Sequence, residues 1–289
     1  MPSTFSVISP ALVTQKAAQR LPRLALLLFC AAYVLPGLLG RDPWKNEDIA
    51  AFGHMWSLAL GQASWFHPHV GGVVPHSGGI LPYWLGGGAI ALLSPWLDPA
   101  LAARLPFAAL LAGILALTWY ATYELAHTDA AQPLPLAFGG EARPQDYARA
   151  VADGALLALI ASLGLLQLGH ETTPEILQLL GITLFVYSLA AVPFRLWKAR
   201  IAMLAALPIL ATSGAPAVAL ALEGGRRLRE HVVERLGRGQ RTERGELAPN
   251  LAHPGFREAD LIRRDDLRDV AVPAGAPVVV RAPVVGKQS

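Results

Sequence analysis

Long apolar runs bounded by charged residues set the narrowest limit on what this chain can fold into. A helix that crosses a bilayer core needs roughly 17–25 mostly apolar residues, because it must satisfy its own backbone hydrogen bonds there. Five segments meet or approach that length: 24–40, 105–123, 154–169, 176–194 and 201–222. With 53% apolar and 16% charged residues, the chain is predicted to be an all-α polytopic membrane protein with about five transmembrane helices.

Basic residues predict which ends of these helices face the cytoplasm. Cytoplasmic flanks collect Lys and Arg. One basic cluster precedes the first run and another follows the fourth: Lys16, Arg20 and Arg23, then Arg195, Lys198 and Arg200. Both clusters lie inside if the sixth apolar stretch, 80–97, does not cross. That stretch contains Pro82, three consecutive glycines and several aromatic residues, which suits a helix in the outer interface.

The predicted organisation is therefore a multi-pass membrane protein. Residues 1–23 form a cytoplasmic N-terminus, and 24–222 form the transmembrane module. Residues 41–104 form a long outer loop with two juxtamembrane helices. The first run is longer than the apolar core of most signal peptides and has no convincing cleavage site, so it is interpreted as an uncleaved anchor.

Residues 223–289 have a different composition from the rest of the chain. They hold 13 basic and 10 acidic residues, which is the whole net charge of +3. No basic patch with interleaved aromatic residues occurs, so the sequence gives no indication of nucleic-acid binding. We expect a partly helical, otherwise flexible tail. The alternative hypothesis is that a frameshift or truncation after about residue 222 replaced the natural sequence.

An adjacent acid pair, Glu47 and Asp48, follows the first run. Asn46 is a favoured N-cap, and acids in a first helical turn complement the helix dipole. The apolar residues that follow at helical spacing predict an interfacial helix that ends near Gly61. Adjacent residues diverge by about 100° around a helix, so at most one carboxylate is expected to face a shared cavity.

Several short motifs follow in a fixed order in the segment "DPWKNEDIAAFGHMWSLALGQASWFHPHVGGVVPHSGGILPYWLGGGAIALLSPWLDPALAARLPFAAL". They are a W-x-x-P-H-x-x-G element at 65–72, a Y-W-L helix at 83–85 and A-A-R-L-P at 102–106. In this order they resemble the first outer loop of bacterial GT-C glycosyltransferases. Within that superfamily, the resemblance is to the aminoarabinose transferases acting on lipid A and to the related protein O-mannosyltransferases.

This resemblance implies transfer of a sugar from a polyprenyl-phosphate donor to a hydroxyl on a lipid or protein acceptor, at the outer face of a bacterial inner membrane. Glu47 matches the position of the family's catalytic acid, with Asp48 beside it, although the family typically has Asp first and Glu second. Glu175, in "GHETTPEILQLL", matches an acidic element before the fourth span. Thr173, Pro174 and Glu175 equally make an ordinary helix start.

The family often carries a lysine before the Y-W-L helix, where it can meet the lipid phosphate, and here Gly78 and Gly79 occupy those positions. The substitutes proposed for substrate and phosphate binding are Arg41, Lys45, His69 and Arg104, together with Glu175. A divalent metal is a further hypothesis, with His76, His170 and Glu171 as possible ligands. His67 and His69 have no recognisable third ligand.

Two other function classes stay open. A non-enzymatic accessory or flippase-like membrane protein would explain the missing lysine and the small number of spans. A transporter is the weakest hypothesis, since transport pathways usually place ionisable residues within spans, where this chain has almost none.

Overall fold

The computed structural model describes residues 12–39, 42–76 and 78–227, which belong to one compact unit, Met1–Leu228. The helices are α1 (Arg23–Leu38), α2 (Asn46–Ala59), α3 (Leu81–Leu93), α4 (Pro99–Ala126), α5 (Pro144–Ile160), α6 (Leu163–Leu168), α7 (Pro174–Ala191) and α8 (Leu196–Thr212), with a 3₁₀ turn at Asp129–Ala131 and a further helical stretch at 216–227. Within these ranges the only β pairings are isolated bridges. The predicted all-α class is confirmed. Arg41 and nearly all of the predicted tail, residues 228–289, lie outside the described ranges.

Five stretches of helix, namely α1, α4, α5 with α6, α7 and α8, run between two opposite ends of the unit. At one end Glu124 of α4 pairs with Arg195 before α8, at 3.2 Å. At the other end Asp48 of α2 lies against Arg104 of α4 and Thr172 before α7. The start of α3 and the end of α8 also meet there, through the Ile80 N–H and the Thr212 carbonyl.

The two ends differ in charge. The first end, called the basic end here, has a group of Lys and Arg side chains: Lys16, Arg20, Arg23, Arg143, Arg149, Arg195, Lys198 and Arg200. The second, called the acidic end, has more carboxylates than cations in its described residues: Asp42, Glu47, Asp48, Asp98, Glu171 and Glu175, beside Lys45 and Arg104. The two basic clusters identified in the sequence therefore lie at the same end of the fold.

The structure supports the predicted spans only in part. Among the described residues only α4, with 28 residues, and α7, with 18, are long and apolar enough to cross a membrane by themselves. Two such helices are weak support for membrane association, and α1 and α3 are shorter apolar helices. The third predicted span is broken at 161–162, between α5 and α6. The fifth is broken at Ser213–Gly214, where Gly214 has a φ of 94°.

The predicted outer loop is also too long at its C-terminal end, because α4 already begins at Pro99. Asp98 is its N-cap, and the carboxylate accepts hydrogen bonds from the N–H groups of Ala100 and Leu101. Proline at the first helical position completes an ordinary start signal. Residues 42–98 of that loop contain α2 and α3, as the prediction of two additional helices required.

Glycines let α2 and α3 pack closely. A Cβ on Gly86 would stand 2.1 Å from Sδ of Met55, and one on Gly87 would stand 3.1 Å from the Met55 carbonyl oxygen. Met55 is fully buried at the centre of this contact. Gly88, one residue later, faces open space. Two of the three consecutive glycines, Gly86 and Gly87, are therefore required for close packing.

Gly86→Ala is expected to lower the free energy of unfolding by about 1–3 kcal/mol, toward the lower end because a methionine side chain adapts. Gly88→Ala is the matched control, and it should be neutral or stabilising by about 0.5–1 kcal/mol because alanine favours a helix interior. Thermal unfolding of the purified variants in one detergent measures both. Equal effects of the two substitutions would show that α2 and α3 do not pack through Gly86.

Candidate functional site

The two acids of the pair diverge at the start of α2. Asp48 is fully buried, whereas Glu47 is exposed. The helix begins at Asn46, and Lys45 rather than Asn46 occupies the N-cap position, without a side-chain capping bond. The predicted Asn46 N-cap is therefore wrong by one residue. Asp48 points inward because it lies on the same helix face as the buried residues Ala51, Met55 and Leu58.

Asp48 is held from two sides. Its Oδ1 accepts two hydrogen bonds of 2.8 Å from Thr172, one from the backbone N–H and one from the hydroxyl. Its Oδ2 lies 3.9 Å from Nη2 of Arg104, which is itself buried. Oδ2 has no hydrogen bond to any described residue. One oxygen is thus fixed in place, and the other faces a cation.

A second pair lies beside the first. Nζ of Lys45 is 3.2 Å from Oε1 of Glu171, which is 1% exposed. That contact brings the charges together without the geometry of a good hydrogen bond, since Oε1 has no hydrogen-bond partner within the described ranges. Lys45, Asp48, Arg104 and Glu171 are called the charge cluster below. Its four formal charges sum to zero, and it joins α2 and α4 to the α6–α7 connection.

His170 closes one side of the charge cluster. Its Nδ1 lies 2.8 Å from the carbonyl oxygen of Leu166, and its Nε2 lies 2.8 Å from that of Tyr33. Carbonyl oxygens only accept, so whichever ring nitrogen carries a proton can donate to one of them, and both nitrogens face backbone oxygens rather than a metal site. The ring also packs on Gly37, where a Cβ would stand 1.7 Å from Cδ2 of the histidine. His170 therefore ties α1 to the α6–α7 connection.

The remaining predicted site residues lie apart from this cluster. Glu175 is exposed on the first turn of α7, and His76 is exposed in the α2–α3 connection. His69 is half-buried and lies close to His54. The described residues contain no group of three side chains able to hold a metal ion. The possible metal ligands His76, His170 and Glu171 are not brought together by the described fold.

A narrow crevice opens beside Arg104 and Thr172. Gly37, Phe107 and His170 form part of its walls. The free space inside is about that of one water molecule. A sugar therefore does not fit the crevice unless the α6–α7 connection moves away from α4.

Two side chains in this region have no role in the sequence prediction. Thr172 supplies both donors to Asp48, and the only signal for it is its place in a Thr-Thr-Pro helix start. His54 is buried in α2 against the ring of Tyr83, 5.4 Å away between centroids. Burial lowers the pKa of His54, and the neighbouring His69 lowers it further.

This lowered pKa predicts how stability depends on pH. Below the ordinary histidine value of 6.5 the unfolded chain takes up a proton at His54 that the folded chain resists. The stability that neutral His54 contributes is fully present above about pH 6.5. It is lost as the pH falls, and the free energy of unfolding then changes by up to about 1.4 kcal/mol per pH unit. His54→Gln should flatten this acid limb, while the exposed His67→Gln should not. Unfolding curves between pH 7.5 and about 5 test it; identical slopes in both variants would contradict it.

Comparison with protein-family models, with curated proteins and with solved structures gives no match for this chain.

Proposed function

We propose that this chain is a GT-C-like membrane glycosyltransferase that moves a sugar from a polyprenyl-phosphate donor to a lipid or protein hydroxyl. The observation that carries the proposal is the buried Asp48, with one oxygen fixed by Thr172 and the other facing Arg104. It occupies the acid pair at which the sequence resembles that superfamily. Proton removal from the acceptor requires a carboxylate base, and departure of the phosphate requires a nearby cation.

The proposal places five helical stretches across a bacterial inner membrane. Only α4 and α7 satisfy the length criterion alone, so α1, α5 with α6, and α8 are proposed to cross as parts of the packed bundle. The segregation of Lys and Arg at the basic end supports a cytoplasmic location for that end. The charge cluster would then face the outer side, where the polyprenyl-phosphate sugar is proposed to bind.

Asp48 is the better candidate for the base than Glu47, which is exposed. In the proposed step the acceptor hydroxyl donates its proton to Oδ2 of Asp48 as its oxygen attacks the anomeric carbon. A new carbon–oxygen bond forms, and the bond from the anomeric carbon to the phosphate oxygen breaks. Polyprenyl phosphate leaves with the bonding electrons, and Arg104 and Lys45 stabilise its negative charge. The crevice must widen for the substrates to enter.

A transfer assay in membranes tests this function. The unmodified chain, Asp48→Asn and Glu47→Gln are compared with a panel of radiolabelled polyprenyl-phosphate sugars, at matched amounts of folded protein. Loss of the base should reduce transfer by about 10²–10⁴-fold in Asp48→Asn, while Glu47→Gln should stay near the unmodified rate. A large loss of transfer in Glu47→Gln, with near-normal transfer in Asp48→Asn, would instead identify Glu47 as the base. No transfer by the unmodified chain with any donor would reject the transferase function.

A non-enzymatic accessory protein is the second candidate, and the pairing within the charge cluster favours it. Each of the four charges already has an oppositely charged neighbour within 3.9 Å, and the crevice beside them admits about one water molecule. In that case the cluster locks helices together and does no chemistry. Binding of a polyprenyl-phosphate sugar without transfer would support this candidate.

A further inference from the structure

An open apolar groove with about 490 Å³ of free space lies between α1 and α4, away from the charge cluster. Leu26, Val34 and Leu35 of α1 form one wall, and Leu115 and Ala116 of α4 form the other. The rest of the lining is also mainly aliphatic, with Cys30 on α1 and the rings of Trp119 and Tyr120 on the side shared with the mouth described next. The groove therefore favours an extended apolar ligand.

At the basic end this groove opens into a polar mouth. Arg20, Arg23, Arg149 and Asp153 line the mouth. Trp119, with Leu26 and others, borders both spaces, so groove and mouth are continuous. A single ligand can occupy the two together.

The mouth carries surplus positive charge. Both oxygens of Asp153 accept hydrogen bonds, from Nε1 of Trp119 at 2.8 Å and from the N–H of Leu21 at 3.0 Å. Neither Arg23 nor Arg149 has an ion-pair partner within the described ranges. Arg20 pairs with Asp146 at 3.6 Å. The guanidinium groups of Arg23 and Arg149 therefore share the mouth with one carboxylate, Asp153, whose hydrogen bonds go elsewhere. A phosphate suits two arginines that have no carboxylate partner.

The length of the groove fits one membrane leaflet. From Leu26 to Leu35 the α1 axis rises about 14 Å. Half of a hydrocarbon core is about 15 Å deep. A lipid acyl chain that starts at the mouth can therefore follow α1 to the middle of a bilayer.

We propose that the mouth and groove bind one anionic glycerophospholipid, with its phosphate on Arg23 and Arg149 and an acyl chain between α1 and α4. Juxtamembrane basic residues attract anionic headgroups, and the apolar walls of the groove can contact the acyl chain. The site lies at the end of the bundle opposite the charge cluster. This lipid site requires that the protein lies in a membrane, as proposed above, but it does not require sugar transfer.

Lipid retention by the purified full chain tests the proposal. The protein is exchanged into a neutral detergent with phosphatidylglycerol or phosphatidylcholine, and bound lipid is measured by native mass spectrometry. We expect phosphatidylglycerol to bind about tenfold more tightly. Arg23→Gln with Arg149→Gln should weaken it about thirtyfold. Lys198→Gln, at the same end but outside the mouth, is the matched control and should change binding less than about twofold.

Two further measurements separate a lipid site from a simple anion site. Ala116→Phe fills the groove without changing a charge, and it should also reduce phosphatidylglycerol binding. Millimolar inorganic phosphate, which has no chain, should not displace the lipid. Displacement by phosphate, equal binding of the two lipids, or equal losses in the double variant and in Lys198→Gln would each overturn the proposal. Because sugar transfer is measured separately, its absence would leave this result unaffected.

Discussion

Asp48→Ala is expected to lower the free energy of unfolding by about 3–5 kcal/mol, because it leaves the buried Arg104 guanidinium beside an empty space. The substitution also removes the acceptor for both Thr172 donors, one of which is a buried backbone N–H. An unsatisfied buried donor costs about 1–3 kcal/mol. Thermal or denaturant unfolding in one detergent measures the loss.

The neighbouring acid provides the matched control. Glu47→Ala removes the same kind of charge from the same turn of α2, but at an exposed position. We expect it to change stability by less than about 0.5 kcal/mol. The double variant Asp48→Ala with Arg104→Ala should cost less than the sum of the single losses, by about 0.5–3 kcal/mol. Additive losses, or equal losses in Glu47→Ala and Asp48→Ala, would show that the two buried side chains are not coupled.

This stability result also decides how the transfer assay is interpreted. Asp48→Asn keeps the shape of the side chain, and its amide oxygen can still accept from Thr172. A variant that stays folded but loses transfer separates the base from the structural tie. If Asp48→Asn stays folded and keeps full transfer, Asp48 is a structural tie and not the base.

Helical class and much of the helix order could be predicted from the sequence, because apolar runs and start signals are local. Asp98 and Pro99 together mark the beginning of α4 in the printed sequence. The number of crossing helices could not be settled in this way. The third and fifth runs look continuous, yet both are broken in the structure, at 161–162 and at Ser213–Gly214. Hydropathy averages over such breaks, whereas backbone geometry does not.

The candidate site was only partly predictable, since its contacts join residues far apart in sequence. Divergence of Glu47 and Asp48 follows from helix geometry. Asp48 is the inward one because it lies on the buried face of α2. The pairing of Lys45 with Glu171 and of Asp48 with Thr172 links segments more than a hundred residues apart. No local pattern encodes such partners.

Gly37 shows the same limit, because nothing around it in the sequence marks it as a packing site. A Cβ there would stand 1.7 Å from Cδ2 of His170, 2.4 Å from Cγ and 2.7 Å from Nε2. The ring cannot turn aside without losing its contacts to the carbonyl oxygens of Leu166 and Tyr33. Gly37→Ala is therefore expected to lower the free energy of unfolding by about 1–3 kcal/mol, or more if the ring is expelled.

A second substitution tests whether the His170 ring is the reason that position 37 requires glycine. His170→Ala removes the obstructing ring, so Gly37→Ala should cost little when it is added to His170→Ala. Gly113→Ala in α4 is the control, because its Cβ would meet only Cδ1 of Leu180 at 3.8 Å, an ordinary contact. It should stabilise the helix by about 0.5–1 kcal/mol. If Gly37→Ala costs as much in the His170→Ala background as alone, the imidazole ring is not what requires glycine at this position, and α1 does not pack on His170 there.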